Sequence, residues 1–377
     1  MNIALFLTYD YSLKTWSDSG TLERELKVFK ALEKDKNVNF TIFSYGNKDE
    51  FKYEDKLGSI RVVPIQEKIR LPKQKILRYI VSFKIPFKLR KELANIDLIQ
   101  QNQLLGTWVS LLTSFIYKKP FYLRTGYDMY QFSIHENKKL YIRTLYKVLT
   151  SLAIKYSNLY TVTSRKDYQF LKNNFKSFKN VVIRPNWVSS TENIQSIRYP
   201  DRILCVGRLT YQKNLYFLIE EMSKVDFDLT LDFVGSGEEL ENLQQFANTK
   251  KLSVNFLNSL PHKDLMDLYQ NYKYFISSSL YEGHPKTILE AMASGCVVFA
   301  SKIPGHTEII KHLESGIIFD LKKDSLKNCF EKYFNQDSLN KKISKNSKNF
   351  IENHFSLSEF VDDTFVDYSK LKDISSR

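Results

Sequence analysis

Short runs of β-branched or aromatic residues alternate with helical patterns along the whole chain. This alternation is typical of repeated strand–helix units and mostly parallel sheets. A helix predicted over 21–34 has Leu22, Leu26, Phe29 and Leu32 on one face. The predicted strands form two series, at 3–8, 38–44, 60–65, 97–101, 120–125, 158–163 and 180–184, and then at 202–206, 228–234, 252–257, 273–278 and 296–300. The pattern predicts an α/β fold in which two Rossmann-like, doubly wound domains face each other across a cleft.

The break between the two series falls at the string PNW and the polar stretch that follows it. We therefore expect a first domain over 1–187, a linker over 188–200 and a second domain over 201–355. Helices are predicted in the second domain at 214–223, 238–249 and 263–271, and a polar helical pattern over 356–377 ends the chain. In doubly wound sheets ligands bind outside the carboxyl ends of the strands, so residues that follow strands are the candidates for a site.

Composition is that of an ordinary globular protein. The 377 residues are 43% hydrophobic and 26% charged, which excludes a disordered or fibrous chain and allows two or three domains. Three cysteines, an odd number in a long chain, argue against a disulfide scaffold and for a reducing compartment. The first ten residues have no basic leader, and no stretch approaches the ~20 apolar residues of a membrane span. We expect a cytoplasmic protein.

The net charge of +14 is concentrated in one half of the chain. Residues 1–185 hold 33 Lys and Arg against 16 Asp and Glu, whereas residues 186–377 hold 23 against 26. This asymmetry indicates that the first half faces a polyanion, such as nucleic acid, an anionic membrane or a phosphorylated acceptor. A basic but merely solvated surface is the alternative.

The most basic segment, residues 68–91, contains nine Lys and Arg and no acidic residue, interleaved with Ile, Leu, Tyr and Phe. Pro72 and Pro86 bracket a short helix-capable piece. Cations mixed with apolar side chains are typical of a segment that lies in a lipid headgroup region. RNA binding could use the same composition, but no zinc pattern or RNA-binding signature is present. The candidate membrane contacts are Lys73, Lys75, Arg78, Lys84, Lys88, Arg90 and Lys91.

Three strings follow predicted strands of the second half. In the first, VGRLTYQKN, Gly207 permits a close turn, and Arg208 and Lys213 emerge near the end of a strand. Two cations in this position can clamp a diphosphate, Arg through a bidentate fork and Lys as a point charge. The alternative is a pair of surface cations on a loop.

The second string, FVGSGEEL, places Gly235 and Gly237 after a strand. The third glycine of a dinucleotide fingerprint is missing, so a nicotinamide or flavin site is not indicated. A tight turn, either structural or against a nucleotide, is the prediction.

The third string, SSSLYEGHPKTILEAMASG, occupies residues 277–295. Pro285 suits the first turn of a helix and Gly295 suits its C-terminal cap. The backbone amides of Lys286–Ile288 would then lack helical partners and offer an anion site.

Glu282 precedes this predicted helix and Glu290 lies within it. Carboxylates beside a phosphate clamp suit sugar hydroxyls, one on a ribose and one on a transferred hexose. A solvent-facing position is the alternative for Glu290, but its neighbours Ala291, Met292 and Ala293 indicate a buried helix.

Taken in order, these strings resemble the donor-binding domain of retaining glycosyltransferases of the GT-B fold, specifically glycosyltransferase family 4. The resemblance rests on Gly207, Arg208, Leu209 and Lys213, on the Gly235–Gly237 turn, and on Glu282 and Glu290 separated by seven residues. IPGHTEII at 303–310 is also similar to the family. PNW at 185–187 resembles its Pro-Asn-Gly junction, with Trp187 in place of glycine, and 356–377 resembles its C-terminal helix, which crosses back onto the first domain.

The resemblance implies roles for individual residues. Arg208 and Lys213 would neutralise the donor diphosphate as the glycosyl bond breaks. Glu290 would bind the nucleotide ribose and Glu282 the donor sugar. The implied donor-binding set also includes Gly20, Gly207, Gly235, His284, Pro285, Lys286, Thr287 and Ile288. Gly20 stands where the family often has two adjacent glycines, of which this chain has one.

The chain also departs from the family. Many members carry a histidine in the first domain after a strand, and the corresponding stretch, 120–130, has none. Arg124, Tyr127 and Asp128 are the candidates to face the cleft instead, with His135 further along. A retaining transfer can use the donor's own phosphate oxygen as base, so no side-chain base is assigned.

The sequence leaves the roles of two further groups of residues undecided. His306 occupies a position where the family commonly has glycine, and it is either a donor contact or a loop residue. Asp362 and Asp363 resemble a metal-binding pair in isolation, but a solvated helix face is favoured over a metal site.

The resulting hypothesis is a retaining hexosyltransferase that uses a nucleotide diphosphate sugar as co-substrate, with no cofactor and no metal. The expected acceptor is a hydroxyl of a lipid-linked saccharide or glycolipid in cell-surface polysaccharide biosynthesis. We expect a cytoplasmic protein, peripheral at the anionic inner face of the membrane, with no nucleic-acid partner. The alternatives are a soluble sugar or phosphosugar acceptor, and a catalytically silent basic protein that binds nucleic acid or an anionic polymer.

Overall fold

The computed structural model describes residues 1–189 and 198–375. The chain divides into two compact units, one formed by Met1–Pro185 together with Phe360–Arg377 and the other by Asn186–Glu359. Over the described residues, none of the helices combines the length and the apolar content that crossing a bilayer requires. Each unit is an α/β structure with its own hydrophobic core.

The first unit is organised around a parallel sheet. Within the described residues its strands are β1 (Asn2–Phe6), β2 (Asn39–Ser44), β3 (Arg61–Pro64), β4 (Leu98–Asn102), β5 (Phe121–Arg124), β6 (Leu159–Val162) and β7 (Val181–Ile183). Their order in the sheet is β3-β2-β1-β4-β5-β6-β7, and Ile3 of β1 lies opposite Phe40 on one side and Leu98 on the other. The order reverses between β1 and β4, which makes that pair the switch point of the sheet.

Helices cover the first sheet on its faces. They are α1 (Leu13–Asp18), α2 (Leu22–Lys36), α3 (Glu54–Leu57), α4 (Lys75–Ser82), α5 (Ile85–Lys88), α6 (Arg90–Leu93), α7 (Thr107–Tyr117), α8 (Met129–His135), α9 (Leu140–Tyr156) and α10 (Arg165–Asn174), with 3-10 turns at Lys48–Tyr53 and Ile65–Glu67. The face of α2 predicted from the sequence is buried, since Leu22, Leu26, Phe29 and Leu32 all lie in the interior.

The second unit repeats the same plan. Its strands are β8 (Tyr199–Val206), β9 (Thr230–Val234), β10 (Ser253–Leu257), β11 (Tyr272–Ser277), β12 (Val297–Ser301) and β13 (Ile317–Phe319), arranged β10-β9-β8-β11-β12-β13 with all pairs parallel. Its helices are α11 (Leu215–Met222), α12 (Leu240–Asn248), α13 (His262–Gln270), α14 (Lys286–Ala293), α15 (Pro304–Thr307), α16 (Ser325–Tyr333) and α17 (Asp337–His354), with a 3-10 turn at Tyr211–Lys213. Here the order reverses between β8 and β11, so their following loops share the switch point.

The last helix, α18 (Leu357–Ser375), joins the first unit from Phe360 onward. Arg184, just after β7, donates from Nε and Nη2 to the two carboxylate oxygens of Asp367 at 2.8 and 2.7 Å. Tyr368 is fully buried and meets the ring of Tyr122 edge-on, with ring centroids 5.6 Å apart. A bidentate ion pair and a buried aromatic contact therefore hold α18 to the sheet of the first unit.

The predicted fold class of two doubly wound α/β domains is confirmed. The structure adds β13 and several helices to which the sequence pattern had given no range, among them α1, α7, α8, α9, α10, α16 and α17. The unit boundary also differs from the predicted one, because Trp187 belongs to the second unit and β8 begins at Tyr199. Most of the predicted linker, 188–200, lies outside the described residues, at 190–197.

Candidate functional site

The backbones of the loops after β8 and β9 are in direct contact. A Cβ on Gly235 would lie 2.0 Å from the carbonyl oxygen of Gly207, and the φ of Gly235 is +149°. A Cβ on Gly237 would lie 2.2 Å from the carbonyl oxygen of Leu209. Only glycine fits these positions. The first two of the three strings singled out in the sequence are therefore packed against each other, beside the switch point of the second sheet.

Lys213 and Glu282 form an ion pair across this point. Lys213 Nζ lies 2.5 Å from Glu282 Oε1, and the Glu282 side chain is only 10% exposed. Ser279 Oγ donates to the same carboxylate oxygen at 2.8 Å, and Gln212 Nε2 donates to the other at 3.2 Å. One carboxylate thus ties the loop after β8 to the loop after β11.

The charge state of Glu282 follows from these contacts. Burial by itself would raise the pKa of the carboxyl group, but the Lys213 ammonium and the surrounding hydrogen bonds hold that pKa below its usual value. Glu282 is therefore a carboxylate at neutral pH, and with Lys213 it forms a pair of opposite, nearly buried charges.

His306 packs behind Glu282 on the short helix α15. Its Nδ1 lies 2.8 Å from the carbonyl oxygen of Ser301, which makes Nδ1 the protonated nitrogen, and burial lowers the pKa of the ring to about 4. Ser301 Oγ in turn donates to the carbonyl oxygen of Ser279 at 2.6 Å. A Cβ on Gly305 would lie 2.6 Å from the Glu282 carbonyl oxygen. IPGHTEII therefore supports the Glu282 loop from behind.

Arg208 stands at the open side of this cluster. Its side chain is exposed, and its Nη2 lies 3.5 Å from Gln212 Oε1, which is a long contact. Gln212 also donates to the carbonyl oxygen of Tyr281 at 2.9 Å. The guanidinium is therefore close to the Lys213–Glu282 pair but is not locked by it. Arg208, Lys213 and Gly207 also line a small cavity with Ser277, Ser278 and Ser279.

Helix α14 begins beside the same loop. The sequence predicted Pro285 in the first turn of this helix, and the structure places it one residue earlier, as the N-cap. Gly295 follows the end of the helix with φ +74°, as expected for a C-terminal cap. Thr287 lies partly exposed in the first turn and Ile288 is buried. The amides of a first helical turn cannot bond within the helix, so this end of α14 has the polarity that favours an anion.

Glu290 lies within α14 in a buried position, as its neighbours in the sequence indicated. Its side chain is buried, with Oε1 3.2 Å from His262 Nε2 and Oε2 accepting from the Tyr269 hydroxyl at 3.4 Å. In this structure the carboxylate is engaged between α13 and α14. Its implied role as the ligand of the nucleotide ribose stays a prediction.

His284 also departs from its predicted role as a lining of the sugar site. Its ring is buried, Nδ1 accepts from the Asn186 backbone N–H at 3.3 Å, and Phe355 meets the ring edge-on. Burial lowers the pKa of His284 to about 3, so the ring is neutral. Lys286 Nζ lies 5.7 Å from the centroid of the Trp187 ring. PNW and EGHP therefore pack on each other, and the His284 side chain is a structural contact.

Among the candidates of the first unit, Gly20 lies between α1 and α2 at φ +68°, not in an open loop after β1, because α1 intervenes. Arg124 Cζ lies 4.9 Å from the centroid of the Phe360 ring, and Tyr127 packs on Phe132 with ring centroids 4.6 Å apart. These side chains are held by contacts inside their own unit.

Asp128 is fully buried at the start of α8. Its Oδ1 accepts from the Gln131 backbone N–H at 2.7 Å, which caps the helix. Burial raises the pKa of Asp128 to about 6, against the hydrogen bonds that lower it. Asp128 was one of three candidates to face the cleft, and in the structure its side chain is buried as the cap of α8. His135, at the other end of α8, is exposed.

The basic segment 68–91 is exposed along most of its length. Helix α4 lies between Pro72 and Pro86, as predicted, and carries exposed Ile76, Tyr79 and Ile80. Arg78 Nη1 donates to Asp10 Oδ1 at 2.9 Å. The other predicted membrane contacts are exposed: Lys73, Lys75, Lys84, Lys88, Arg90 and Lys91.

Asp362 and Asp363 lie on α18 in ion pairs. Lys36 Nζ is 2.6 Å from Asp362 Oδ1, and Arg184 Nη1 is 3.9 Å from Asp363 Oδ2. In the parts of the chain that the structure describes, no three His, Cys, Asp or Glu side chains are grouped to share a metal ion. The pair belongs to the helix surface, the reading that the sequence favoured.

Sequence reasoning missed three side chains of this cluster. Gln212 and Ser279 both donate to Glu282, and Ser278 Oγ donates to the carbonyl oxygen of Lys213 at 2.8 Å. A signal was present, because three consecutive serines directly follow a buried strand. Hydroxyl groups in such a place need acceptors, and the neighbouring loops supply them.

Two parallel, doubly wound units are the arrangement of the GT-B fold, and the charged cluster lies at the switch point of the second. A likeness over the whole chain supports this: the crystal structure of Anabaena HepE in complex with UDP and glucose has a TM-score of 0.75 and covers 98% of this chain and 99% of that one, at 16% identity. Residues 192–350 match the family model described as glycosyl transferases group 1. The match covers less than half of the chain and lies within the second unit, which carries the charged cluster.

Curated relatives match smaller parts. The chain is 29% identical over 154 residues to the GtfA subunit of a UDP-N-acetylglucosamine–peptide N-acetylglucosaminyltransferase of Streptococcus agalactiae, covering 38% of this chain and 30% of that protein. It is 27% identical over 270 residues to the UDP-Gal:α-D-GlcNAc-diphosphoundecaprenol α-1,3-galactosyltransferase of Escherichia coli, covering 64% and 68%. The matched part of the chain spans about a third to a half of the length of the first curated relatives.

Proposed function

We propose that this protein is a retaining glycosyltransferase that moves a hexose from a nucleotide diphosphate sugar to a hydroxyl of a lipid-linked saccharide or glycolipid. The observation that carries the proposal is the Lys213–Glu282 pair at the switch point, with exposed Arg208 beside it and the first turn of α14 next to it. This is where a doubly wound sheet binds its ligand, and it is where the family match lies.

The cluster suits a diphosphate that becomes a leaving group. As the bond from the anomeric carbon to the phosphate oxygen breaks, negative charge grows on the diphosphate. Arg208 and Lys213 supply positive charge at that point, and α14 presents its N-terminal end. Donor binding would bring phosphate oxygens to Lys213 in competition with Glu282. The Glu282 carboxylate would then accept hydrogen bonds from the hydroxyls of the donor sugar.

Retention at the anomeric carbon follows from attack on the face from which the diphosphate leaves. The acceptor oxygen forms the new bond, the old carbon–oxygen bond breaks, and the acceptor proton passes to the departing phosphate oxygen. No side-chain base is needed for this step. In the proposal Arg208 and Lys213 provide the charge neutralisation, so that transfer proceeds without a bound metal. Activity that is unchanged in EDTA is the expected result.

The choice of acceptor rests on the first unit. Its residues 1–185 carry the whole excess of positive charge, and the basic segment 68–91 exposes Ile76, Ile80, Phe83 and Phe87 among its cations. Such a surface fits an acceptor held at an anionic membrane face. The name of the E. coli relative specifies a diphosphoundecaprenol-linked acceptor, whereas that of the S. agalactiae relative specifies a peptide. We therefore place the protein at the inner face of the membrane, in cell-surface polysaccharide biosynthesis.

The test is to incubate the purified protein with UDP-, GDP-, ADP- and dTDP-sugars and to measure the free nucleotide released, first without acceptor and then with a short-chain polyprenyl-diphosphate saccharide. Release from one donor that Arg208→Ala abolishes is the expected result. Lys311→Ala is the matched control, because Lys311 is an exposed cation of the same unit paired with Glu314. The anomeric configuration of the product, read by NMR, reports retention.

Two outcomes would contradict parts of the proposal. Turnover with a soluble sugar or phosphosugar, and none with the polyprenyl acceptor, would replace the acceptor class and leave the transferase standing. No release and no thermal shift with any nucleotide diphosphate would favour a basic binding protein. That alternative requires polyanion binding to survive Arg208→Ala, because the cation excess lies in the other half of the chain.

A further inference from the structure

Helix α9 (Leu140–Tyr156) presents an apolar stripe to solvent. We define the α9 face as Leu140, Tyr141, Leu145, Val148, Leu152 and Tyr156, whose side chains are between 43% and 78% exposed. The spacing from Tyr141 onward is four, three, four and four residues, so the stripe follows one side of the helix. The opposite side is buried through Thr150, Ala153 and Ile154. A helix that is apolar on its outer side as well as its inner side requires a partner for the outer side.

The α9 face is continuous with other exposed apolar residues of the first unit. The Phe115 ring, on α7, meets the Tyr156 ring edge-on at 5.6 Å, and Phe115 and its neighbour Ile116 are 59% and 37% exposed. The Tyr117 hydroxyl then donates to the carbonyl oxygen of Pro86 at 2.9 Å, which joins α7 to α5 and to exposed Phe87. One surface therefore runs from the basic segment 68–91 across α7 to α9.

A second link joins α4 to α7. Tyr79 on α4 stacks on Tyr9 with ring centroids 5.1 Å apart and meets the ring of Trp108 on α7 edge-on at 5.5 Å. Helix α7 therefore contacts both α4 and α9, and all three helices carry exposed apolar side chains.

Charge identifies the kind of partner. Residues 137–156 contain no acidic side chain, and their cations are Lys138, Lys139, Arg143, Lys147 and Lys155. The acidic groups at the margins, Glu136 and Asp10, are paired with Lys138 at 3.0 Å and with Arg78 at 2.9 Å. A symmetric dimer through this surface would place the same cations opposite one another, which is unfavourable. Anionic lipid headgroups would neutralise the cations while the acyl region buries the apolar stripe.

We propose that α9 is a second membrane-docking element, which works together with the basic segment 68–91 to seat the first unit on an anionic bilayer. This inference rests on the proposed function, in which the acceptor is membrane-held, and it names the surface that meets the membrane. The longest helix of the predicted segment 68–91 is α4, with eight residues. With α9 included, the docking surface has a second, longer helix, whose apolar stripe and cations lie on the same surface as α4.

The experiment is co-sedimentation of the full chain with vesicles of phosphatidylcholine containing about 30% phosphatidylglycerol, with pure phosphatidylcholine vesicles as reference. The triple variant Leu145→Gln/Val148→Gln/Leu152→Gln keeps good helix formers on α9. We expect its vesicle affinity to fall about tenfold or more, because each replaced side chain loses apolar burial in the interface. Val366→Gln, at a similarly exposed apolar position of α18, is the matched control and binds as the natural chain does.

The readouts separate this inference from the proposed function. Donor hydrolysis in solution is expected to stay unchanged in the α9 variant, which shows that the second unit is intact. If the α9 variant binds vesicles normally while Ile76→Gln/Ile80→Gln does not, α9 is not a docking element and the membrane proposal survives. If the natural chain ignores anionic vesicles, both membrane statements fall. If light scattering shows a dimer that the α9 variant dissociates, the occupant is a second copy and the inference is wrong.

Discussion

Lys213 Nζ lies 2.5 Å from Glu282 Oε1, and this contact joins two loops that are 69 residues apart in the sequence. The two loops follow β8 and β11, the strands between which the order of the second sheet reverses. The pair therefore stands where a doubly wound sheet opens to a ligand. Its two charges are nearly buried, so a charged ligand that reaches Lys213 must change the surroundings of Glu282.

Replacement of Glu282 by Gln should separate turnover from nucleotide binding. Gln keeps an oxygen for the Ser279 hydroxyl but removes the partner charge of Lys213. We expect turnover to fall about a hundredfold if the carboxylate holds the donor sugar, while the affinity for the nucleotide diphosphate is unchanged or greater, because Lys213 is released toward an anion. Single-turnover kinetics and calorimetric titration of the diphosphate measure the two quantities.

Asp337→Asn is the control for this substitution, since Asp337 pairs with Lys273 at 2.8 Å on the surface of the same unit. Both quantities should be normal in the control. A Glu282→Gln variant whose diphosphate affinity falls as much as its turnover would place Glu282 on the nucleotide rather than on the sugar.

Replacement of Arg208 by Ala should weaken diphosphate binding without an effect on folding. The side chain is exposed, and its contact with Gln212 is long at 3.5 Å. A charge-assisted contact to a phosphate is worth roughly 2–3 kcal/mol, and we expect the affinity to fall by that amount. Calorimetry at two ionic strengths measures it. Unaltered affinity would remove Arg208 from the site.

Replacement of Gly235 by Ala tests the close packing of the two glycine loops. The added Cβ would lie 2.0 Å from the Gly207 carbonyl oxygen, so the backbone has to move. We expect the free energy of unfolding of the second unit to fall by about 2–4 kcal/mol. The control is Gly58→Ala in the first unit, where φ is +70° and no heavy atom lies within 4 Å of the added Cβ. The control variant should lose only about 1 kcal/mol in free energy of unfolding, because its sole cost is the strain of a side chain at positive φ. Equal losses in urea titrations of the two variants would argue against the close packing.

Asp128 should make the stability of the first unit depend on pH. Burial raises its pKa from 3.8 to about 6 in the folded protein, so the folded state holds a proton that the unfolded state has released. The contribution of Asp128 to the free energy of unfolding is therefore largest below about pH 4, and this contribution is lost as pH rises toward 6. Asp128→Asn keeps the cap on the Gln131 amide and removes the titration.

The measurement is urea unfolding of both proteins at pH 4.5 and pH 7, followed by a probe in the first unit. We expect the variant to gain about 1–3 kcal/mol relative to the natural chain at pH 7 and less at pH 4.5. An identical difference at the two pH values would show that Asp128 does not titrate in this range.

Much of the fold could be predicted from the sequence, because strand and helix patterns are local. The runs that became β1 to β12 are apolar, of strand length and bounded by turn residues. β13 was missed because it has three residues and no period of its own. α1 was missed because its residues LKTWSD follow a serine cap and contain only two buried side chains. Such short elements are stable only through their packing.

The candidate site also has features that the sequence reveals and features that only the structure shows. The strings around Arg208, Gly235 and Glu282 were recognisable because glycines and charges directly after a strand have a physical reason to be there. The sequence did not reveal that Lys213 neutralises Glu282, that His284 is buried against Asn186, or that Asp128 is a buried cap. Each of these depends on which loops meet in space.

The sequence by itself determined the two parallel α/β units, the basic character of the first half and the residue types gathered in the second. Hydrophobic period, turn residues and charge act over a few neighbouring residues, so they are readable in order along the chain. Only the tertiary structure decided the partners of the charges and the continuity of the exposed apolar side chains of α4, α7 and α9. Burial and pairing are set by contacts between distant segments, and the linear pattern does not contain those contacts.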